Sequence, residues 1–296
     1  MANATAALAP RRIRCGVVTG NVTDTIGRTP APDAMRERSH RVWSAGDYDS
    51  IAAGFRDEAA AFVRRQMLGS GMRVLDAACG SGNVTIPAAR TGATVIGLDL
   101  VWSLIEQAAE WGQREGLSIV FDEGTVEDLP YAGAEFDAVL SMFGTMFAPR
   151  PERVTAELAR VTRRGGKVAL ANWTRDGFVG RMLALHVKYA PPPAGVPSAL
   201  LWGDEAVVRE RFDPREWDVA TTRHTLTFHW THTPRGTAEL FGAAYGPTVR
   251  TLEVLDDERR ETFMTELAAL WTDANRTGAR DTDVESEYLQ VVATRR

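Results

Sequence analysis

Lysine is almost absent from this chain, with only Lys167 and Lys188 among its 34 basic residues. Arginine enrichment of that kind follows genome base composition and carries no functional signal. Cysteine is nearly as scarce. Cys15 and Cys79 are too few for a disulfide framework or a cysteine-rich zinc site, so a reducing, cytoplasmic setting is expected. Histidine numbers five. His224, His229 and His232 lie near one another in sequence, but no Glu or Cys at ligand spacing completes a set, and no metal site is expected. Long hydrophobic runs are missing too: the longest charge-free stretch, 189–203, contains four prolines, which rules out a membrane span there. Arg11, Arg12 and Arg14 are not followed by an apolar segment of the kind a secretory signal needs. The net charge is −5. Residues 1–46 hold seven arginines against Asp24, Asp33 and Glu37, a surplus of +4 that leaves −9 on the remainder. An acidic body disfavours nucleic acid as a partner.

Apolar residues make up 44% of the 296 positions and charged residues 25%, enough to bury a sizeable core. Residues 1–34 show no sustained period and read as a flexible extension outside that core. A helical pattern over 35–68, with Ile51, Phe55, Ala59, Phe62, Val63 and Met67 at three- and four-residue spacing, marks residues 35–70 as a helical N-terminal cap. Short β-type runs then alternate with helical segments: strands at 73–77, 94–98, 118–121, 136–142 and 167–172, with helices ending near 90 and 114 and a third over 151–162. Such alternation predicts parallel βαβ crossovers and a doubly wound α/β sheet, with ligands bound where the strand order reverses. The ligand-binding core is placed at 71–175. Beyond it the alternation breaks: 178–189 and 204–211 read as helices, 217–230 and 288–293 as strands, and the helical block between those strands, about 231–287, as a lid within residues 176–296.

The chemistry concentrates in Val74-Leu-Asp-Ala-Ala-Cys-Gly-Ser-Gly-Asn83, a buried strand running into a glycine turn and then a helix. Gly80 and Gly82 permit close backbone approach, and a helix N-terminus offers free N–H groups. A dinucleotide fingerprint would have a small residue where Thr85 stands, and a P-loop would have Gly-Lys-Ser/Thr, which is absent. Asp76 in the floor of the loop repels a pyrophosphate and attracts an ammonium. Asp99, at the end of the next strand, suits the two hydroxyls of a ribose. Together they specify a nucleoside with a cationic, amino-acid-like tail.

These residues resemble the first motifs of the class I S-adenosylmethionine-dependent methyltransferases, in their small-molecule group, and the resemblance extends over about residues 40–175. It implies a Rossmann-like, seven-stranded, mostly parallel sheet with two terminal antiparallel strands, and S-adenosylmethionine as cofactor. By the same resemblance Asp76, Ala78, Gly80 and Gly82 line the methionine part, Asp99 holds the ribose and Leu100 packs on the adenine. Thr125, Val126 and Glu127 fall in the segment that meets the adenine edge. Trp43-Ser-Ala-Gly-Asp-Tyr48 resembles the cap that folds over the methionine end, bringing Trp43 and Tyr48 to the cofactor. Ser141 and Phe143 face the sulfonium, and Phe143, Met146, Phe147 and Trp173 enclose the acceptor. Ala78, where many members have Gly, Thr125-Val126 in place of Asp-Ala, and Trp102 beside the acidic strand end depart from the pattern.

Methyl transfer leaves a neutral thioether, so a base is needed only where the acceptor must lose a proton; Tyr48 and His186 are the candidates. The reading is a methyltransferase acting on a small aromatic or amphipathic metabolite, in keeping with specialised metabolism and with neither nucleic acid nor membrane as partner. The alternatives are a protein that uses the same cofactor without methylating, as in a cyclisation, and an NAD-dependent oxidoreductase, which Asp76 and Thr85 oppose.

Overall fold

The computed structural model describes residues 11–16 and 33–296. Among them one sheet contains β1 (Arg12–Cys15), β2 (Arg73–Ala77), β3 (Thr94–Asp99), β4 (Ile119–Glu123), β5 (Phe136–Met142), β6 (Thr162–Trp173), β7 (Trp217–Trp230) and β8 (Thr282–Arg295), in the spatial order β1-β4-β3-β2-β5-β6-β8-β7. The five strands from β4 to β6 run parallel. β1, β8 and β7 pair antiparallel at the two edges. The central strands are buried along nearly their whole length, as apolar runs such as Val74-Leu75 and Ala138-Val-Leu140 require of a sheet covered on both faces. From β2 the chain builds outward through β3 and β4, then returns to build the other way through β5 and β6. Right-handed crossovers in opposite directions place helices on opposite faces, so the sheet is doubly wound and opens a crevice beside the C-terminal end of β2.

The cap is not one helix but three, α1 (Ala34–Trp43), α2 (Tyr48–Ala52) and α3 (Arg56–Arg65). The break falls at Gly46, whose φ of +73° and approach to the Ala244 carbonyl, where a Cβ would stand 2.4 Å from the oxygen, exclude any other residue. Helices α4 (Thr85–Arg90), α5 (Trp102–Arg114) and α6 (Pro151–Val161) connect the parallel strands. In α6, Val154, Leu158 and Val161 are buried on one face, and Pro151 opens its first turn. After β6 come α7 (Phe178–Tyr189) and α8 (Glu205–Arg211), and between β7 and β8 lie α9 (Pro234–Ala244), α10 (Gly246–Glu253) and α11 (Asp257–Ala274). β7 has the expected bounds, whereas β8 is longer than the hydropathy pattern implies: it begins at Thr282, so the helical insertion ends short of residue 287.

The sheet has eight strands rather than seven, because Arg12–Cys15, which the sequence pattern leaves outside the core, forms its edge; residues 1–10 and 17–32 lie outside the described residues. Asp122 on β4 is fully buried, and Arg12 reaches it through Nε at 2.5 Å and Nη2 at 2.7 Å while the Tyr131 hydroxyl donates at 3.0 Å. Neither charge is recognisable as paired from local sequence, since the partners are 110 residues apart. Next to it, Arg11 makes a bidentate bridge to Glu123 at the surface.

Removing one partner of a buried pair strands the other charge, whereas an exposed pair contributes little. Arg12→Ala is therefore expected to lower the unfolding free energy by about 3–5 kcal/mol, and Arg11→Ala by less than about 1 kcal/mol. Urea denaturation of both variants checks this; equal losses would mean that β1 contributes nothing specific to the edge.

Candidate active site

A cleft of about 990 Å³, its open mouth included, lies at the C-terminal ends of β2, β3 and β5 and is roofed by α1 and α2. Its floor is the turn after β2. Asp76 ends that strand with 1% of its surface exposed. One carboxylate oxygen accepts from the Thr85 hydroxyl at 2.5 Å, and the other has no hydrogen-bond partner. Burial raises the Asp76 pKa to about 7; the Thr85 bond opposes the shift and the charge of Asp99 adds to it. Asp99, at the end of β3, is held by two backbone donors, Gly80 N–H at 2.8 Å and Val101 N–H at 2.9 Å. Burial raises its pKa as well, against those bonds.

Three donors of the turn are spent internally. Cys79 N–H goes to the Leu98 carbonyl, Gly82 N–H to the Cys79 carbonyl and Gly80 N–H to Asp99. A phosphate-binding loop presents free N–H groups; this one presents carboxylates, so its complement carries donors of its own, an ammonium or hydroxyls. Gly82 serves packing rather than ligand approach: at φ +97° it lies against α5, where a Cβ would come within 3.1 Å of Ala108.

One wall is apolar. Phe143, just past β5, takes the left-handed backbone at φ +58°, as does Ala78 at +63° on the neighbouring strand end, so close that a Cβ on Gly144 would stand 2.6 Å from the Ala78 Cβ. Such conformations in residues other than glycine cost on the order of 1–3 kcal/mol and persist only where packing overrides them. The packing at Phe143 is a parallel stack on Trp173 with ring centroids 3.6 Å apart, plus edge contacts from Phe55 and Tyr288. From the cap, Trp43 packs against Phe147 at 4.8 Å and Tyr48 at 5.5 Å, and all three line the cleft.

Asp76, Ala78, Gly80, Asp99, Leu100, Thr125, Val126, Glu127, Phe143, Phe147, Trp43 and Tyr48 meet in this one cleft. Five expected residues are not on its walls. Gly82 packs on α5. The Ser141 hydroxyl is turned inward to accept from Thr145 N–H, and Met146 is buried. Trp173 lies behind Phe143. His186 is buried in the helical layer, its Nδ1 donating to the Met182 carbonyl and its Nε2 accepting from the Thr248 hydroxyl. Burial lowers its pKa to about 4, and it has no access to the cleft. Tyr48 is in place but cannot act as a base at neutral pH, because burial and the Asp99 charge push its phenol well above the ordinary tyrosine range. The carboxylate of Glu127 is taken up by Arg150, through its backbone N–H at 2.7 Å and its guanidinium at 3.1 Å, and the same guanidinium reaches Asp33 at the start of α1.

Sequence reasoning missed Arg36 and Ser39 of α1, Phe55 as a wall residue, and Ser81 and Asn83 within the motif itself. For α1 the only available signal was an amphipathic helix without strong apolar periodicity; none of its residues is buried. Asn83 follows the second glycine directly, where a polar side chain in a buried turn asks for a partner.

Residues 75–170 match the family model described as a methyltransferase domain. An uncharacterised protein of Mycobacterium tuberculosis is 40% identical over 222 residues, 74% of this chain and 81% of that protein. The phosphatidylethanolamine N-methyltransferase of Cereibacter sphaeroides is 30% identical over 184 residues, 60% of this chain and 85% of that enzyme. Among solved structures, the YcgJ protein of Bacillus subtilis superposes with a TM-score of 0.57 at 16% identity, covering 81% of this chain and 99% of its own.

An ammonium needs Asp76 ionised. Below the carboxyl pKa of about 7 a proton has to leave before the cation binds, so affinity for S-adenosylhomocysteine is expected to fall by up to about tenfold per pH unit as pH drops below 7 and to level off above it. Asp76→Asn should flatten the profile and bind weakly throughout. Calorimetry across about pH 5.5–8.5 decides it; a flat wild-type profile would remove Asp76 from the cation site.

Proposed function

The chain belongs to the class I S-adenosylmethionine-dependent methyltransferases, and from that premise we propose that it methylates a small aromatic or amphipathic metabolite held against the Phe143 wall. The observation that carries this reading is the apolar half of the cleft. Trp43, Phe55, Phe143 and Phe147, from the cap and the segment after β5, all line it. Such a surface offers area and shape to a ring or short chain and few partners to a polar polymer. The net charge of −5 argues the same way against nucleic acid, and no helix among the described residues is long and apolar enough to cross a membrane. The reading favours specialised metabolism in the cytoplasm. An amphipathic acceptor is also the class suggested by the name of the Cereibacter sphaeroides relative.

S-adenosylmethionine supplies a methyl carbon on a sulfonium, whose departure as a neutral thioether asks for no proton. The Asp76 carboxylate would bind the ammonium, Asp99 the ribose hydroxyls, and Leu100 and Val126 would flank the base. The rings of Trp43 and Tyr48 exclude water from the methionine end, and Tyr48 stays a neutral donor. Phe143, rigid because Trp173 stacks behind it, orients the acceptor. Holding nucleophile, carbon and sulfur in line supplies most of the rate through lost freedom already spent in binding. Neither Tyr48 nor His186 is placed to take a proton from the acceptor.

The test is incubation with S-adenosylmethionine and a panel of small phenols, amines and amphipathic amines. Equimolar S-adenosylhomocysteine and methylated product are expected, and product formed without S-adenosylhomocysteine would favour the non-methylating alternative. Phe143→Ala and Trp173→Ala should each lower turnover at least about tenfold while changing cofactor affinity less than about threefold. Parallel losses of both would put the aromatic wall in the cofactor site.

A further inference from the structure

Among the described residues lining the cleft, three buried polar atoms have no hydrogen-bond partner: Asp76 Oδ1, Ser81 Oγ and Asn83 Oδ1. All three come from one eight-residue stretch, and the other unpartnered buried polar atoms, such as Trp271 Nε1 and His224 Nε2, belong to residues away from the cleft walls. A buried polar atom left alone is costly, and a cluster of them at a ligand site marks groups waiting for the ligand's own partners. Asp76 brings a carboxylate oxygen, Asn83 an amide oxygen and Ser81 a hydroxyl able to accept. An ammonium carries three donors and no acceptor, and all three atoms can accept; Ser81 also borders the neighbouring groove beside Asp47, Asp49 and Arg56.

The amide of Asn83 is not free to turn. Its Nδ2 donates to the Ala52 carbonyl at the end of α2, at 2.8 Å, and since a carbonyl can only accept, the amide oxygen is fixed on the other side. Asn83 is 7% exposed and Ser81 3%. Asn83 therefore joins the glycine turn to the cap, and a cation on its oxygen would polarise the amide and strengthen the bond to Ala52.

We infer that Ser81 and Asn83 complete the receptor for the ammonium of the ligand's amino-acid tail, and that Asn83 couples occupancy of this receptor to fastening of the cap. The inference rests on the reading that S-adenosylmethionine occupies the cleft. It separates these two side chains from the ribose and adenine contacts, which act on any adenosine thioether.

The experiment is calorimetric titration with two ligands, S-adenosylhomocysteine and its deamino analogue, whose tail keeps the carboxylate but has no ammonium. Asn83→Ala is expected to weaken S-adenosylhomocysteine by roughly ten- to a hundredfold, the scale of one hydrogen bond to a charged group, and the deamino analogue by less than about threefold. Ser81→Ala, which breaks no bond within the protein, is expected to show the same selectivity and guards against a folding defect in the Asn83 variant. Equal weakening of both ligands by Asn83→Ala and Ser81→Ala, or unchanged affinity for S-adenosylhomocysteine, would overturn the inference. Failure of the wild-type protein to bind S-adenosylhomocysteine at all would instead take down the cofactor reading, and the ammonium receptor with it.

Discussion

The Asp99 carboxylate is the constraint on which the site depends. One of its oxygens accepts from Gly80 N–H and the other from Val101 N–H, so a single side chain at the end of β3 fixes both the turn after β2 and the start of the next loop. The parallel register that sets Asp76 opposite Gly97 and Ala77 opposite Leu98 brings the two strand ends to the same level. Two carboxylates are thereby buried at adjacent strand ends; burial raises the pKa of both, and the charge of Asp99 raises that of Asp76 further. That imbalance is electrostatic preparation for a ligand carrying a cation and hydroxyls.

The rest of the molecule serves this pair. The doubly wound sheet supplies the crevice, and the cap closes it with α1, a helix that buries none of its own residues and is fastened at its ends. At one end Asp33 meets Arg150, itself bound to Glu127; at the other, Asp47 N–H bonds the Ala244 carbonyl and Arg250 the Arg41 carbonyl. The strain at Ala78 and Phe143 sits at two neighbouring strand ends, those of β2 and β5, where the chain turns over the cleft. The aromatic stack of Phe143 on Trp173 offsets part of it and stiffens the apolar wall of the cleft.

Much of this was legible in the sequence because it is local. The strand–turn–helix around Asp76, the second acidic strand end at Asp99 and the alternation of β and α segments depend on neighbours within a few residues, and the structure places them as that pattern implies. What was not legible depends on partners far along the chain. Arg12–Cys15 looks like a loose terminus until Asp122 is seen buried beneath it. Trp173 and Ser141 sit at strand ends that face the cleft, yet Trp173 turns behind Phe143 and Ser141 toward Thr145, orientations decided by packing rather than by position. His186 has the chemistry of a base, but the Met182 carbonyl and the Thr248 hydroxyl claim both ring nitrogens. Asn83 stood in the motif all along; only the Ala52 carbonyl beside it shows which end of its amide is left over.

The central claim is that the two buried carboxylates hold an adenosine ligand with an amino-acid tail. Calorimetric titration of S-adenosylhomocysteine into the wild type and Asp99→Asn tests it most directly, because the amide keeps the shape and one of the two backbone bonds, to Gly80 or Val101, while losing the charge. A loss of about 2–4 kcal/mol in binding, in a variant that is still folded though less stable, is the predicted result. Wild-type affinity in a folded Asp99→Asn variant would contradict it.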